Sequence, residues 1–591
     1  MIERIHNVVK FPILYLRKRL SNRNFFILAS ILVGVTSGFA AIALKYIVHS
    51  IERMVSYSVN NFEEFFLFAL FPLLGIFLTV IYVKYFYRNS IPKGSAEIGY
   101  AIIKKSSIIP AGETYAHLVT SGLTVGFGGS VGLESPMVST GSAIGSNFGR
   151  SYELPYKDRT VLLACGASAG IAAAFNAPIA GVLFAIEVLL ADVSASAFIP
   201  LIISAAAGAL ISKMILEEGI ILTFSLQQPF NYHNLLFYML MGIFTGFVSL
   251  YYARAFHAVE KRISHLKNIW TRAISGGLIL FALILVFPPL FGEGYESIKS
   301  LADMNASVLT KGSILQRFIT SEAHLLLFLG ALIFLKAIAA AVTLGSGGNG
   351  GSFAPSLFIG AYCGYVFSRV VNFLGLGNIP ESNFTIVAMA GVLSGVFYAP
   401  LTAIFLIAEL TGGYELMIPL MIVASSSLVV ARLFEPLSSE AKKLSHKLQL
   451  SVESRDKLLL SRLELSSLIE RNFSVVRPEQ TLSSLVKVIA TSSRNIFPVA
   501  DEHDTLLGLI FLDRIRQVIF DRDQYETTTV QQLMVKPPAV VQLGENMHGA
   551  LAKFDASNQW NLPVVDNGKY IGFLSKSTIL TRYRSELLES S

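Results

Sequence analysis

The chain is poor in the residues on which soluble enzymes rely. Only 15% of its 591 residues are charged, and it has two cysteines and two tryptophans. Cys165 and Cys363 both sit in apolar segments, so they read as helix-packing residues and not as a disulfide or a thiolate metal pair. No His/Asp or Cys/His cluster with metal-ligand spacing, no Walker loop and no nucleophile elbow occurs, which argues against a membrane enzyme. The start of the chain does not read as a secretory leader. It carries Arg4, Lys10, Arg17, Lys18, Arg19 and Arg23 before the first long apolar run. The net charge of +7 is accounted for by such basic loops, so no nucleic-acid partner is expected.

Apolar residues, by contrast, are abundant. They make up 53% of the chain, and the mean hydropathy is +0.58. A soluble protein of this size could not hide that much apolar surface, so lipid is the expected solvent for most of it. The apolar character dominates from about residue 24 to 434 and then fades. Clear spanning candidates are residues 25–47, 65–85, 197–215, 235–252, 273–290 and 324–344. Shorter or interrupted ones are 133–148, 177–190, 353–371, 384–397, 400–410 and 415–433. Segments below about 20 apolar residues are expected to enter and stop partway, or to tilt. The basic flank favours a cytoplasmic N-terminus, and residues 1–23 read as an amphipathic helix on the inner leaflet.

Two passages repeat each other. Residues 128–145 read GGSVGLESPMVSTGSAIG and residues 347–364 read GGNGGSFAPSLFIGAYCG. Shifted by 219 positions they match at Gly128/Gly347, Gly129/Gly348, Gly132/Gly351, Pro136/Pro355, Gly141/Gly360 and Gly145/Gly364. A second pair follows: FNAPIAGVLFAIE at 175–187 and FYAPLTAIFLIAE at 397–409. Each half thus holds a Gly-rich break and a Pro-started helix. Breaks in corresponding places of two repeats point to a transport site near the bilayer midplane.

The chemistry follows from the breaks. In Gly132-Leu133-Glu134-Ser135-Pro136 the Gly permits a tight turn and the Pro suits a first helical turn. The free N–H groups of such a start attract an anion, and Gly351-Ser352-Phe353-Ala354-Pro355 offers a second start. Two such ends facing one cavity make a small-anion site with no metal. Glu134 places a carboxylate where an anion should bind, so it can occupy the site itself and act as a gate. The plainer reading is a Glu that caps its helix. Its repeat partner is Phe353, so the acid is not required by the helix start.

These motifs resemble those of the CLC family of chloride channels and chloride/proton exchangers. Gly132–Pro136 is similar to the family's GxExP motif, Gly351–Pro355 to its GxFxP motif, and FNAPIAG and YAPLTAIFLIAELT also fit. The resemblance implies an all-α polytopic membrane protein with two inverted repeats, a homodimer, and one anion pathway per subunit. It makes Glu134 the gating glutamate. The backbone of Gly132, Leu133, Glu134, Ser352, Phe353 and Ala354 becomes the anion-binding set.

Three positions depart from the family pattern. Lys93 stands where the Ser of the family's GSGIP motif is expected, 41 positions before Glu134. The other readings are a register slipped onto Ser95, or a Lys that snorkels into the aqueous mouth. A Lys buried in a span costs about 2.5–3.5 kcal/mol and needs an anion or a carboxylate such as Glu134 as partner. Ser438 falls where the family has a Tyr that closes the inner side of the site. A cationic, roomier site suggests an oxyanion such as nitrate or bicarbonate. Val188 replaces the exchangers' inner proton-accepting Glu, next to Glu187, which matches the structural Glu. An apolar side chain cannot relay protons, so a passive channel is favoured over an anion/proton exchanger. Glu97 or Glu113 could supply another proton path.

After residue 437 the expected plan is a linker helix at 438–466 and an α/β tail at 467–591. The tail resembles a tandem CBS pair at about 467–522 and 528–588. Its units hold NIFPVADEHDTLLGLIFLDRI at 495–515 and NLPVVDNGKYIGFLSKSTIL at 561–580. CBS pairs often bind adenine nucleotides through a Ser or Thr three residues before an Asp. Asp513 has Ile510 in the hydroxyl position, and Ser575 has Thr578 in the acid position. Neither pair is complete, so a dimerising scaffold is favoured over a nucleotide sensor, and no cofactor is expected to be required. A divalent-cation transporter is disfavoured, because a cation path should carry carboxylates within its spans. The expected protein is a multi-pass plasma-membrane protein (residues 24–437) that conducts chloride or a similar small anion, with its N-terminus and tail cytoplasmic.

Overall fold

The computed structural model describes residues 21–57, 62–87, 91–190, 195–216, 229–448 and 464–590. The amphipathic segment expected at 1–23 falls almost wholly outside the described residues, as does the middle of the expected linker, 449–463. The chain divides into two compact units, Met1–Gln449 and Leu450–Ser591.

The first unit is helical. In chain order it holds α1 Asn22–Tyr57, α2 Phe62–Phe86, α3 Ser95–Lys104, α4 Glu113–Gly126, α5 Glu134–Ser151, α6 Tyr156–Phe175, α7 Pro178–Phe184 and α8 Ala195–Leu216. Then follow α9 Leu235–Ser264, α10 Ile269–Val286, α11 Tyr295–Ala302, α12 Glu322–Gly345, α13 Phe353–Phe373, α14 Glu381–Phe397, α15 Pro400–Leu410, α16 Met417–Phe434 and α17 Ser439–Leu448. Eight helices among the described residues are long and apolar enough to cross a bilayer. One of them, Tyr156–Phe175, is absent from the spans expected from the sequence. Its run ACGASAGIAAA scores weakly on hydropathy because it is built of small residues, and it is small because it is packed on all sides: Leu162 to Phe175 are buried without a break.

The repeated glycines make the same contact twice. α5 crosses α6 at Gly141 and Gly145, where an added Cβ would lie 2.0 Å from the Gly166 carbonyl oxygen and 1.9 Å from that of Leu162. α13 crosses α14 at Gly360 and Gly364, where it would lie 2.5 Å from Met389 Cα and 2.1 Å from the Phe384 carbonyl oxygen. Backbone meets backbone in both crossings, so only glycine fits. α6 and α14 each end on a left-handed residue, Asn176 (φ 55°) and Tyr398 (φ 60°), before the Ala-Pro that opens the next helix.

The matched glutamates exchange caps. Glu187 lies on the π-helical turn Ala185–Leu189 that continues α7, and its carboxylate accepts from the N–H groups of Leu401 (3.1 Å) and Thr402 (2.8 Å) and from the Thr402 hydroxyl (2.7 Å) at the start of α15. Glu409, on α15, accepts from Ile179 N–H (3.1 Å) and Ala180 N–H (2.9 Å) at the start of α7. Such reciprocity is what two repeats related by a pseudo-two-fold axis produce. Glu187→Ala strands three donors, and a hydrogen bond to a charged group contributes about 1.5–3 kcal/mol. The variant is expected to melt well below the parent in detergent, and an unchanged melting temperature would contradict the capping role.

The second unit repeats a β-α-β-β-α order. Its elements are β1 Ile469–Glu470, α18 Leu482–Thr491, β2 Ile496–Ala500, β3 Leu506–Phe511 and α19 Leu512–Ile515, then α20 Val530–Leu533, β4 Val541–Gln542, α21 Met547–Ser557, β5 Asn561–Asp566, β6 Lys569–Ser575 and α22 Lys576–Ser590. β2 pairs antiparallel with β3, and a four-stranded sheet runs β1-β6-β5-β4. The two hairpins carry a bulge at the same place, Val499/Ala500 and Val564/Val565, opposite the internal glycines Gly508 and Gly572. A Cβ on Gly572 would lie 2.6 Å from the Glu470 carbonyl oxygen, so this glycine is what lets β1 approach β6.

Candidate functional site

The two Gly-rich breaks meet. Gly132 N–H donates to the Gly351 carbonyl at 2.9 Å, and Gly351 N–H donates to the Gly132 carbonyl at 2.7 Å. This two-residue antiparallel bridge sets the starts of α5 and α13 side by side. Each first turn holds a Pro, at Pro136 and Pro355, and the N–H groups of Glu134, Ser135, Phe353 and Ala354 have no carbonyl acceptor. Gly132 therefore contributes space and the bridge, not an open N–H. A Cβ there would strike Glu134 Oε2 at 2.0 Å and Ala354 Cβ at 2.7 Å.

Glu134 folds into this junction. It is 3% exposed, and its carboxylate faces the N–H groups of Glu134 itself and of Ala354. The Tyr295 hydroxyl donates to Oε1 at 2.5 Å, whereas Oε2 is buried without a hydrogen-bond partner. The Phe353 ring packs against Phe175, Phe184 and Phe397 at 5.7, 6.3 and 5.2 Å between centroids, sealing the junction with apolar surface. A cavity of about 370 Å³ leads to Glu134 from the end of α1, lined by Lys45, His49, Glu52, Arg53, Glu293 and Tyr295 among others.

Of the sequence-named residues, Gly132, Leu133, Glu134, Ser352, Phe353 and Ala354 converge. Leu133 N–H is already engaged: it donates to Glu293 Oε1 at 2.9 Å. Ser352 presents its carbonyl to the Tyr252 hydroxyl at 3.1 Å. Lys93 has a different partner from those expected, since its Nζ donates to the Gly348 carbonyl at 2.6 Å. It braces the glycine loop ahead of the second break, with Glu260, Arg272 and Lys443 as the charged groups around it. Ser438 caps α17, its hydroxyl accepting from Ala441 N–H at 3.2 Å. An aromatic hydroxyl does reach the second break, but from Tyr252 on α9. Next to Ser438, Lys442 and Arg254 bind the Glu435 carboxyl and hold it below the usual carboxylate range. Val188 packs against the main apolar core on the π-helical turn.

In the tail, the Asp513 side chain is 85% exposed and paired with Arg516 at 3.1 Å. Ser575 is buried, with its hydroxyl 2.6 Å from that of Ser577. Thr578, in the expected acid position, donates to Glu470 at 2.6 Å.

Three site residues escaped the sequence reading. Lys336 lies in the middle of the apolar run read as the 324–344 span, and a cation there is a functional signal by default. It is fully buried, with Nζ 2.8 Å from the Gly292 carbonyl and 4.8 Å from the Phe358 ring. Glu293 and Tyr295 belong to FGEGYES, which reads as an ordinary polar loop; only its folding back across 160 residues onto Leu133 reveals it.

Comparison with known proteins follows the same lines. A family model described as "Voltage gated chloride channel" matches residues 74–432, and one described as "CBS domain" matches residues 530–585. The chain is 29% identical over 317 residues to the voltage-gated ClC-type chloride channel ClcB of Escherichia coli, covering 52% of this chain and 70% of that one. Its fold is similar to that of a slow cyanobacterial Cl−/H+ antiporter, with TM-score 0.62, 24% identity, and 73% of this chain and 99% of that one covered. A eukaryotic CLC transporter aligns over 96% of this chain and 98% of its own length, with TM-score 0.61 and 20% identity.

Proposed function

Because this chain belongs to the voltage-gated chloride channel family, we propose that it carries chloride, or a similar small anion, across a membrane along a pathway gated by Glu134. The observation that carries this reading is the Glu134 carboxylate, buried between two helix N-termini with one oxygen unpartnered. Each helix start carries roughly half a positive charge, and both press on one point where water is excluded. Such a place favours a small anion and repels a cation. The tethered carboxylate is the resident anion, and a free anion binds when it leaves.

A passive channel fits the inner half. Val188 offers no proton acceptor, and the capping role of Glu187 leaves it committed to α15. An exchanger is the second reading, supported by a small cavity of about 20 Å³ lined by Glu97, Lys105, Glu113, His117 and Ser139, the last on the same helix as Glu134. The working protein is a homodimer in the plasma membrane, with N-terminus and tail cytoplasmic and the tail acting as a scaffold.

Liposomes holding the purified protein and a chloride gradient test this. Chloride efflux and proton movement are recorded together. A channel releases chloride with no proportional proton movement, while proportional movement would replace the channel by the exchanger. If chloride stays inside, the same assay with nitrate, bicarbonate and fluoride tests the alternative anions.

A further inference from the structure

The loop Gly292–Glu293–Gly294 brings a second carboxylate to the start of α5. Glu293 Oε1 accepts from the N–H of Leu133, the residue that caps this helix, at 2.9 Å. That amide is one of those an entering anion needs. The loop is held rather than loose. Gly292 N–H donates to the Gly128 carbonyl at 3.0 Å, the Gly292 carbonyl accepts from Lys336, and both glycines take positive φ, 61° and 93°. A Cβ on Gly294 would lie 2.5 Å from the Phe358 ring. The side chain of Glu293 is the movable part of a fixed turn, and it borders the cavity that leads to Glu134.

The charged and titratable groups around it come from every neighbouring element. Lys45 and Glu52 face it from α1, Glu134 from α5, and Lys336 from α12, while Tyr295 follows it on α11. His49 and Arg53 line the same cavity. Glu293 and Glu134 are thus two acids at the same helix start, bordering one cavity. Like charges so placed repel.

We propose that Glu293 is a second gating carboxylate, which occupies the Leu133 amide in the closed pathway and releases it to an anion entering from the cavity. This rests on the anion-pathway reading given above. In it, an anion passes only when both acids have left the α5 start, Glu293 first and Glu134 next. A static cap would fix the loop and nothing more.

Chloride efflux from proteoliposomes, measured against the pH on the cavity side, separates the two roles. The proteins compared are the parent, Glu134→Gln, Glu293→Gln and the double variant. Glutamine keeps an acceptor for Leu133 N–H, so the loop stays in place. The parent is expected to respond steeply to acid, each single variant less steeply, and the double variant not at all. Glu293→Gln is also expected to raise efflux at neutral pH roughly tenfold, the effect of losing one charge-assisted hydrogen bond. If Glu134→Gln alone flattens the pH profile and Glu293→Gln leaves both profile and rate as in the parent, Glu293 is a static cap and the inference is overturned. If no variant moves chloride, nitrate, bicarbonate or fluoride, the anion-pathway reading fails and takes this inference with it.

Discussion

Glu134→Gln is expected to tighten chloride binding in the pathway and to weaken the dependence of transport on pH. In the parent the carboxylate holds the junction of α5 and α13, where its Oε2 lies against Gly132 and Ala354. On the proposed reading, a free chloride competes with an anion tethered in place. Glutamine has the same shape but no net charge, so it loses its attraction for the two helix starts. A charge in a partly buried geometry at one helix end is worth up to about 2 kcal/mol, which corresponds to about thirtyfold in chloride affinity. The loop that carries Tyr295 is held without this charge, by Gly292 N–H on the Gly128 carbonyl and by Lys336 on the Gly292 carbonyl, so the fold is kept when the glutamine leaves the junction. Titration calorimetry of chloride into the detergent-solubilised proteins checks the affinity, and efflux at acid and neutral pH checks the gate. Equal chloride affinity in parent and variant would mean that the carboxylate does not compete for the site.

Adding one methyl group at a helix crossing is expected to cost more than removing a charge from the site. At Gly145 the new Cβ would lie 1.9 Å from the Leu162 carbonyl oxygen, and at Gly364 2.1 Å from that of Phe384. Both obstacles are backbone, which cannot rotate away as a side chain can. Gly145→Ala and Gly364→Ala must therefore push whole helices apart, at the upper end of the roughly 1–3 kcal/mol that overpacking costs. Because α5 and α13 carry the two site starts, the same displacement separates Glu134 from Ala354. Gly330 provides the matched control: it lies within α12 and a Cβ there has nothing within 4 Å. Its substitution by alanine is expected to be neutral, or stabilising by up to about 1 kcal/mol from helix propensity. Melting curves and gel-filtration profiles in detergent distinguish the three, and a Gly145→Ala protein that melts with the parent would contradict the close-crossing account.

Much of this architecture was legible because its signals are demands made by the backbone. A glycine forced by a carbonyl 2 Å away, a proline opening a helix and a glutamate capping a partner helix each leave one residue type at one spacing. That is why Gly141/Gly360, Gly145/Gly364 and Glu187/Glu409 could be paired from the sequence before their contacts were known. The same logic placed Glu134 and Phe353 at matched helix starts. What was not legible depends on long-range meetings. α6 was missed because close packing selects Ala and Gly, which hydropathy undervalues. Glu293 is a loop acid until the chain returns it to Leu133, and the sequence offers no local sign of that return. Lys93 reads from the sequence as needing an anion or a carboxylate, whereas a carbonyl of the second glycine loop accepts its hydrogen bond, which no charge-pairing argument anticipates. Ser438 shows the reverse case: its position invited a role at the site, while its type, before a helix of ten residues, already fitted an N-cap.

The central claim is that α5 and α13 together form one anion site, which Glu134 occupies when no free anion does. Bromide is a chloride substitute that can be located by its anomalous scattering. In crystals of Glu134→Gln soaked in bromide, a peak is expected where the parent carboxylate lies, in contact with the N–H groups of Glu134→Gln's first turn and of Phe353 and Ala354. The parent should show a weaker peak there or none. A strong peak at that point in the parent, with its carboxylate still in place, or no peak there in the variant, would contradict the account.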